Sequence, residues 1–392
     1  MQKTIVIGLG AMGSATAQHL AQRGQSVVCF DRFTPPHKYG SSHGRSRIIR
    51  QAYYEDPRYI PLLLRAYELW RELEGKSGTA LLHLTGGLAI GRASGKLVGG
   101  AAASARTFSL PHEVLGASEL RRRHPAFSVS DDMLAVWEPS AGYLDAEGCL
   151  QQQLEQASRA GAELHTDEEV VDWTALPQGG VSVRTSRQTH YADRLVITAG
   201  PWAPQLLANL HLPLRVTRQV LLWFQPRGRA DLFRTERLPV YLVESEAGQP
   251  VLYGFPFTGP DSEGVKVALH GSEEVCTADT VVREIRDTDE CIVRERLAEI
   301  LPLLAGPLLR AETCLYTMTP DENFIVDKHP VFSQVTLAGG FSGHGFKFAN
   351  VIGEIVADLT MDLAPAYCLD FLSIGRFHSS GPSRPLMRDG LS

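Results

Sequence analysis

No apolar run in this sequence approaches the length of a membrane span, and no basic stretch with a cleavage site precedes the first strand. The final residues, "MRDGLS", carry no S-K-L address. A soluble, cytoplasmic protein is therefore expected. Surplus positive charge is missing too: 38 Lys and Arg stand against 44 Asp and Glu, a net charge of -6, so neither nucleic acid nor an anionic membrane surface is an expected partner. The six cysteines, Cys29, Cys149, Cys276, Cys291, Cys314 and Cys368, are scattered, with no C-x-x-C and no H-E-x-x-H. That argues against a disulfide scaffold and against a zinc site, and no metal is expected. Internal repeats and low-complexity stretches are also lacking; only 379–392 reads as a flexible tail.

What is present begins at once. "TIVIGLGAMGSATAQHLAQRGQSVVCFD" reads as a strand at Ile5 to Ile7, a glycine turn, a helix, a second strand at Val27 to Phe30, and then Asp31. Gly8 permits the tight turn, Gly10 lets the backbone approach a pyrophosphate, and Gly13 lets helix and strand pack closely, while the helix N-terminus offers free amides to phosphate. Asp31 follows Gly8 by 23 residues, where a carboxylate accepts ribose hydroxyls. The complete frame implies a dinucleotide and leaves NAD and FAD both open.

Just beyond it, "GSSHGRSRIIR" crowds His43, Arg45, Arg47 and Arg50 into one run, a cluster suited to an anion. "DPRYIPLLLRAYELWRELEGKSG" then carries apolar residues at helical spacing, opened by Asp56-Pro57 and closed by Gly75. "LRRRHP" at Leu120 to Pro125 reads as a basic loop with a solvated face. A helix near Ala146 to Ala160 and strands at Glu169 to Trp173 and Arg194 to Gly200 restore an α/β texture. Residues 214–285 are rich in strands and turns, and Val335 to Gly340 is again a buried strand followed by a helix. One discontinuous nucleotide domain with an inserted β-rich domain accounts for this alternation better than domains in series.

Three further stretches carry chemistry. In "GGFSGHGFKF" a glycine-rich strand-to-helix turn, with His344 and Lys347 inside it, brings bare amides and a cation towards something electron-rich, or is merely a tight turn with a surface lysine. In "YGFPFTGPDSEGVKVALHG" a regular strand puts Lys266, Ala268 and His270 on one face, which on the residues alone reads as solvent-facing. Cys314, in the extended run "AETCLYTMTPDENFIVD", reads on its own as a small hydrophobe.

Taken together and in this order, "GLGAMGS", "GSSHGRSRIIRQAYYED", "YGFP", "K-x-x-x-H", "CLYTMTPDENFIVD" and "GFSGHGFKF" resemble the monomeric sarcosine oxidase family, flavin amine oxidases that include N-methyltryptophan and pipecolate oxidases. The resemblance implies an α/β (α+β) fold: a Rossmann-type FAD-binding domain, discontinuous in sequence (1–82, 140–213 and 314–378), with an inserted antiparallel β-rich substrate domain (83–139 and 214–313). It implies FAD as cofactor, attached through its 8α-methyl group to Cys314, and a monomeric enzyme. Gly8, Gly10, Gly13, Asp31, Arg32, Ser42, His43, Arg47, Val170, Gly343, His344, Gly345 and Lys347 would contact the cofactor. Arg50 and Lys347 would clamp the substrate carboxylate, the bidentate fork of Arg50 suiting a planar anion. Tyr316 would line the same cavity, and Tyr253 and His270 would face the amine. His43 and Arg47 would lie against the flavin ring, and Lys266 beside its N5 would activate oxygen; Arg45 falls where relatives vary and receives no role.

The implied reaction is oxidation of a secondary amino acid by hydride transfer to FAD, hydrolysis of the imine (formaldehyde and glycine from sarcosine), and reoxidation by O2 with release of H2O2. Alternatives remain: a cyclic imino acid such as pipecolate or proline, or a larger N-methyl amino acid, since "YLVESEAGQPV" before Tyr253 is long and Leu242 stands at a pocket wall. A D-amino acid or glycine oxidase-like enzyme with non-covalent FAD, an NAD-dependent dehydrogenase, and a non-catalytic flavoprotein subunit complete the set.

Overall fold

In the computed structural model, residues 2–245 and 249–377 are described. The expected tail at 379–392 and part of the stretch before Tyr253 lie outside them. Strand β1 (Lys3–Ile7) is buried over four of its five residues and forms the centre of a six-stranded sheet. The helix α1 (Ala11–Gln22) returns the chain to β2 (Ser26–Phe30), which lies parallel to β1. The sheet runs Ile325–Lys328, Val335–Gly339, Arg194–Ile197, β1, β2, Glu163–His165, parallel throughout except for its first strand. Its members thus come from three separated parts of the chain. Strands covered on both faces need continuous apolar runs, which is what "TIVI", "RLVI" and "VTLAG" supply.

Helix packing on this sheet depends on small residues. A Cβ at Gly13 would lie 1.7 Å from the Gly8 carbonyl oxygen, and one at Gly353, in the Ala349–Thr360 helix, 2.6 Å from Ala15. The glycine turn and the contact between the two helices therefore exist only without those side chains.

The second body is a large, almost wholly antiparallel sheet. Gly87–Arg92, Glu113–Gly116 and Met133–Glu138 join it from one part of the chain, and Arg215–Phe224, Val240–Val243, Val251–Gly254 and Val265–His270 from another. The pair Val240–Val243 with Gly87–Arg92 is parallel. Leu308–Met318 pairs antiparallel with Arg215–Phe224, bringing Cys314 opposite Gln219. This strand crosses the boundary expected at 313/314 without a break. A small antiparallel sheet of Ser46–Ile49, Gly142–Asp145 and Leu82–Leu84 fixes the arginine-bearing segment beside both. Among the described residues no helix is long and apolar enough to cross a membrane.

Two local readings need correction. The helix α2 (Ile60–Ser77) does not stop at Gly75 but at Gly78, whose φ of 70° gives the left-handed cap and whose N–H donates to the Glu74 carbonyl. Gly75, with no need for positive φ, stays helical. The stretch "LRRRHP" is no loop: Ala117–Arg123 is a short helix, and the exposed Arg122 and Arg123 pair with the half-buried Glu119 one turn back.

Candidate active site

Two adjoining cavities meet at Arg47, Tyr316, Gly343 and Phe346. The larger, about 290 Å³, runs along the glycine turn and is lined by Gly8, Gly10, Asp31, Ser42 and Val170, with Arg32 on its wall. Gly8 has a φ of 89°, and a Cβ there would lie 2.6 Å from the Thr198 carbonyl oxygen. At Gly10 the nearest atom to a Cβ would be Ser42 Oγ at 3.5 Å, so that glycine leaves room that the protein itself does not fill. Asp31 Oδ2 accepts from the Leu9 N–H at 2.7 Å and Oδ1 from the Phe33 N–H at 2.9 Å, so its carboxylate is fixed at one end of the cleft. Ser42 Oγ accepts from the Ala11 N–H at 3.2 Å, tying the arginine-bearing loop to the start of α1. Arg32 pairs with Asp279 at 2.7 Å. At the far end Gly343 (φ 79°) approaches the Tyr316 ring so closely that a Cβ would lie 2.3 Å from it, and one at Gly345 would lie 2.5 Å from Phe341. A glycine turn with a fixed carboxylate beyond it and an open side at Gly10 fits a dinucleotide such as FAD.

The loop 40–47 holds the charge. Glu147 accepts from the N–H groups of Gly44 and Arg45 at 2.7 and 2.9 Å, setting the turn in which Gly44 and Arg45 both have positive φ. Arg47 donates to the Ser41 and Ser46 carbonyls, both at 2.9 Å, and lies 3.9 Å from Cys314 Sγ. Lys266 is 1% exposed, not solvent-facing; its Nζ donates to the Gly44 and Ser46 carbonyls at 2.7 and 2.8 Å. Burial, reinforced by Arg47, holds its pKa well below that of an ordinary lysine. It sits behind the loop and lines neither cavity.

Cys314 is fully buried at the wall of the second cavity. Burial would push its thiol up, but His43 and Arg47 bring its pKa down to about 7. His43 in turn loses by burial and gains more from Cys314 and from Glu312, ending at about 9. Its Nδ1 meets Glu312 Oε2 at 3.0 Å, whereas Nε2 makes no hydrogen bond of standard geometry.

The second cavity, about 70 Å³, gathers Arg50, Lys347, His270, Tyr253 and Leu242 from distant parts of the chain. Arg50 lies between the Tyr53 and Tyr54 rings, and its Nη2 donates to both oxygens of Glu55, at 2.6 and 2.7 Å. Burial opposes ionisation of Glu55, yet Arg50 holds its pKa at about 2. Lys347 is buried, not a surface lysine; Nζ donates to the His344 carbonyl at 2.7 Å, and burial together with Arg50 lowers its pKa to about 7. His270, lowered by burial to about 4, is neutral near pH 7, with Nδ1 3.3 Å from the Tyr316 hydroxyl. His344 lines this cavity and not the larger one; Tyr53 and the Glu322 carbonyl occupy its ring nitrogens.

The sequence reading missed Glu55 and Glu312. Glu55 lies in "YYED", of which only Asp56 received a reading of its own, as part of a helix opening. Glu312 had a usable signal: two residues from Cys314 on a strand, it must share that residue's face.

A family model described as FAD dependent oxidoreductase matches residues 3–359. Monomeric sarcosine oxidase of Streptomyces avermitilis is 47% identical over 359 residues, covering 91% of this chain and 93% of that protein. N-methyl-L-tryptophan oxidase of Yersinia pestis is 35% identical over 379 residues, covering 95% and 98%. Among solved structures, NikD, an unusual amino acid oxidase essential for nikkomycin biosynthesis, superposes with a TM-score of 0.84 at 26% identity, covering 95% of this chain and 98% of its own. With the glycine turn, the fixed Asp31 and the cationic second cavity, these matches make the chain a member of the FAD dependent oxidoreductase family, in its branch of sarcosine and N-methyl-L-tryptophan oxidases.

Proposed function

We propose that the chain is a monomeric oxidase of short secondary amino acids, sarcosine foremost, with FAD attached to Cys314. The observation that carries this reading is the small, buried chamber in which Arg50 and Lys347 converge beside neutral His270 and Tyr253, sharing a wall with the nucleotide cavity. Bound FAD would accept the two electrons of the oxidised C–H bond and hand them to O2. In the larger cavity Gly8 and Gly10 would admit the pyrophosphate, Asp31 the ribose, and the 343–345 turn the ring system.

Arg50 and Lys347 hold the substrate carboxylate. In the free chamber Glu55 engages Arg50 through its own carboxylate, so the buried guanidinium is not left unpaired before substrate arrives. The amine must be neutral for its lone pair to assist C–H cleavage. Exclusion of water in this buried chamber disfavours an ammonium, and a neutral His270 leaves an imidazole nitrogen able to accept a hydrogen bond from the amine N–H. Leu242 lines one side of this chamber of about 70 Å³, and the preference for a short N-methyl substrate rests on the likeness to sarcosine oxidases together with that modest size. The imine product is hydrolysed by water, giving formaldehyde and glycine from sarcosine, with H2O2 as the oxygen product. Arg47 supplies positive charge that favours added electrons near the shared wall, and Lys266, when protonated, adds to it from behind the 44–46 loop.

A peroxide-release screen over sarcosine, larger N-methyl amino acids, proline, pipecolate, glycine and D-alanine tests the reading. Sarcosine is expected to be used best, with colour remaining on the denatured chain of wild type and lost in Cys314→Ala. Peroxide from glycine or D-alanine alone would move the protein to the primary-amine oxidases.

A further inference from the structure

The side chains of Arg310, Glu312, Cys314 and Tyr316 alternate along the Leu308–Met318 strand, and a strand's period of two puts all four on one face. The register against Arg215–Phe224 is regular from Arg310 onwards, so the alternation is unbroken there. His43, from the loop before the arginine-bearing strand, stands over this face. Its Nδ1 meets Glu312 Oε2 at 3.0 Å. The other carboxylate oxygen, Oε1, accepts from Arg310 Nε at 2.9 Å, which fixes the carboxylate from behind. His43 is 4% exposed, and its Nε2 has no hydrogen-bond partner among the described residues; the Cys314 sulfur, on the same strand face as Glu312, acts electrostatically on the ring as Glu312 does.

We propose that Glu312 is a positioning residue for cofactor attachment: by accepting the Nδ1 proton of His43 it turns the Nε2 lone pair towards Cys314, so that the imidazole takes the thiol proton and frees the sulfur as nucleophile. This rests on the reading of Cys314 as the attachment point. It is the logic of a nucleophile, a base and an orienting acid, assembled here to modify the protein itself. Attachment breaks the S–H bond of Cys314 and one C–H bond of the flavin 8α-methyl group and forms the S–C bond. The thiol proton passes to His43 Nε2 and the methyl proton to solvent. The electron pair left in the ring system goes to O2, which with two protons becomes H2O2. The depressed thiol and raised imidazole pKa values, about 7 and about 9, agree with a pair that shares its proton in favour of the nitrogen. Arg47, 3.9 Å from the sulfur, stabilises the resulting thiolate but cannot accept its proton.

The full chain, produced under riboflavin limitation and then given FAD, provides the test. Attachment is followed as yellow colour retained on the acid-denatured polypeptide, and reversible binding as quenching of FAD fluorescence. Glu312→Gln is expected to slow attachment about a hundredfold with reversible binding nearly unchanged, and Glu312→Asp to recover much of the rate. A Glu312→Gln rate equal to wild type overturns the proposal, as does a loss of attachment that merely parallels a loss of reversible binding. If wild type retains no colour, or Cys314→Ala keeps it, the attachment reading fails and this inference with it. Should Glu312→Gln not accumulate, Arg310→Gln replaces it: loosening the carboxylate from behind is expected to slow attachment severalfold, and an unchanged rate overturns the proposal.

Discussion

Arg47, Tyr316, Gly343 and Phe346 belong to both cavities, yet the two spaces are made of different material. Around Gly8 and Gly10 the wall is main chain, and its fit is steric: a methyl group in the wrong place meets a carbonyl oxygen. Around Arg50, Lys347 and His270 the wall is ionisable side chains from three distant segments, and its fit is electrostatic. The glycine turn of the first cavity is therefore local in sequence even though residues around 170, 198 and 343 complete its walls, whereas the charged groups of the second chamber are brought together from distant segments.

Alanine at the glycines gives the largest expected effect and tests whether the first cavity is steric. Gly13→Ala drives a Cβ to 1.7 Å from the Gly8 oxygen and is expected to prevent recovery of flavin-loaded protein altogether, read as soluble yield and visible absorbance. Gly10→Ala has no such clash with the protein, so its melting temperature without FAD is expected to match wild type while FAD affinity falls by about tenfold or more. Equal losses at the two positions would erase the distinction between packing and ligand space.

Charge behind the wall comes next. Lys266→Met is expected to slow oxygen-dependent turnover about a hundredfold, with anaerobic flavin reduction much less affected in stopped-flow traces. A fall confined to reduction would remove Lys266 from the oxygen half of the reaction. In the charged chamber Arg50→Lys keeps the charge and loses the fork, and the KM for sarcosine is expected to rise about tenfold with a smaller change in kcat. A large fall in kcat at unchanged KM would mean that Arg50 does not grip the carboxylate.

The smallest effect is in pH. Lys347 has its pKa lowered to about 7 by burial and Arg50, so it carries its proton below that value and loses it above. A bound carboxylate favours the protonated lysine. Inhibition by a short carboxylic acid without an amine is therefore expected to weaken as pH rises through about 7, by several-fold between pH 6.5 and 7.5, and a flat profile in Lys347→Met checks the assignment.

The same division explains what could be read from the chain in advance. The nucleotide frame from Ile5 to Asp31 was legible because its contacts are local and each glycine has a local reason. The helix at Ala117–Arg123 was missed because its single acid, Glu119, and short apolar stripe give little periodicity. Gly75 and Gly78 offer the same residue to a helix end, and only the backbone angles decide between them. Lys266 looked like a surface residue because nothing near it in sequence supplies its surroundings: it is covered by carbonyls of Gly44 and Ser46, more than two hundred positions away. The resemblance to a family, not periodicity, brought Arg50, Lys266, Cys314 and Lys347 together. Glu55 remained invisible because its partner lies five residues off, with no helical or strand spacing to link them.

The alternation along Leu308–Met318 has one more consequence. Because the sulfur and the Tyr316 ring owe their direction to an even count of residues, a single insertion between Glu312 and Cys314 would turn the thiol to the opposite side of the sheet while leaving a ladder still able to form. Under the proposed attachment through Cys314, such a chain would fold around its flavin and never fasten to it, which would constrain length at this point as tightly as the identity of the cysteine itself.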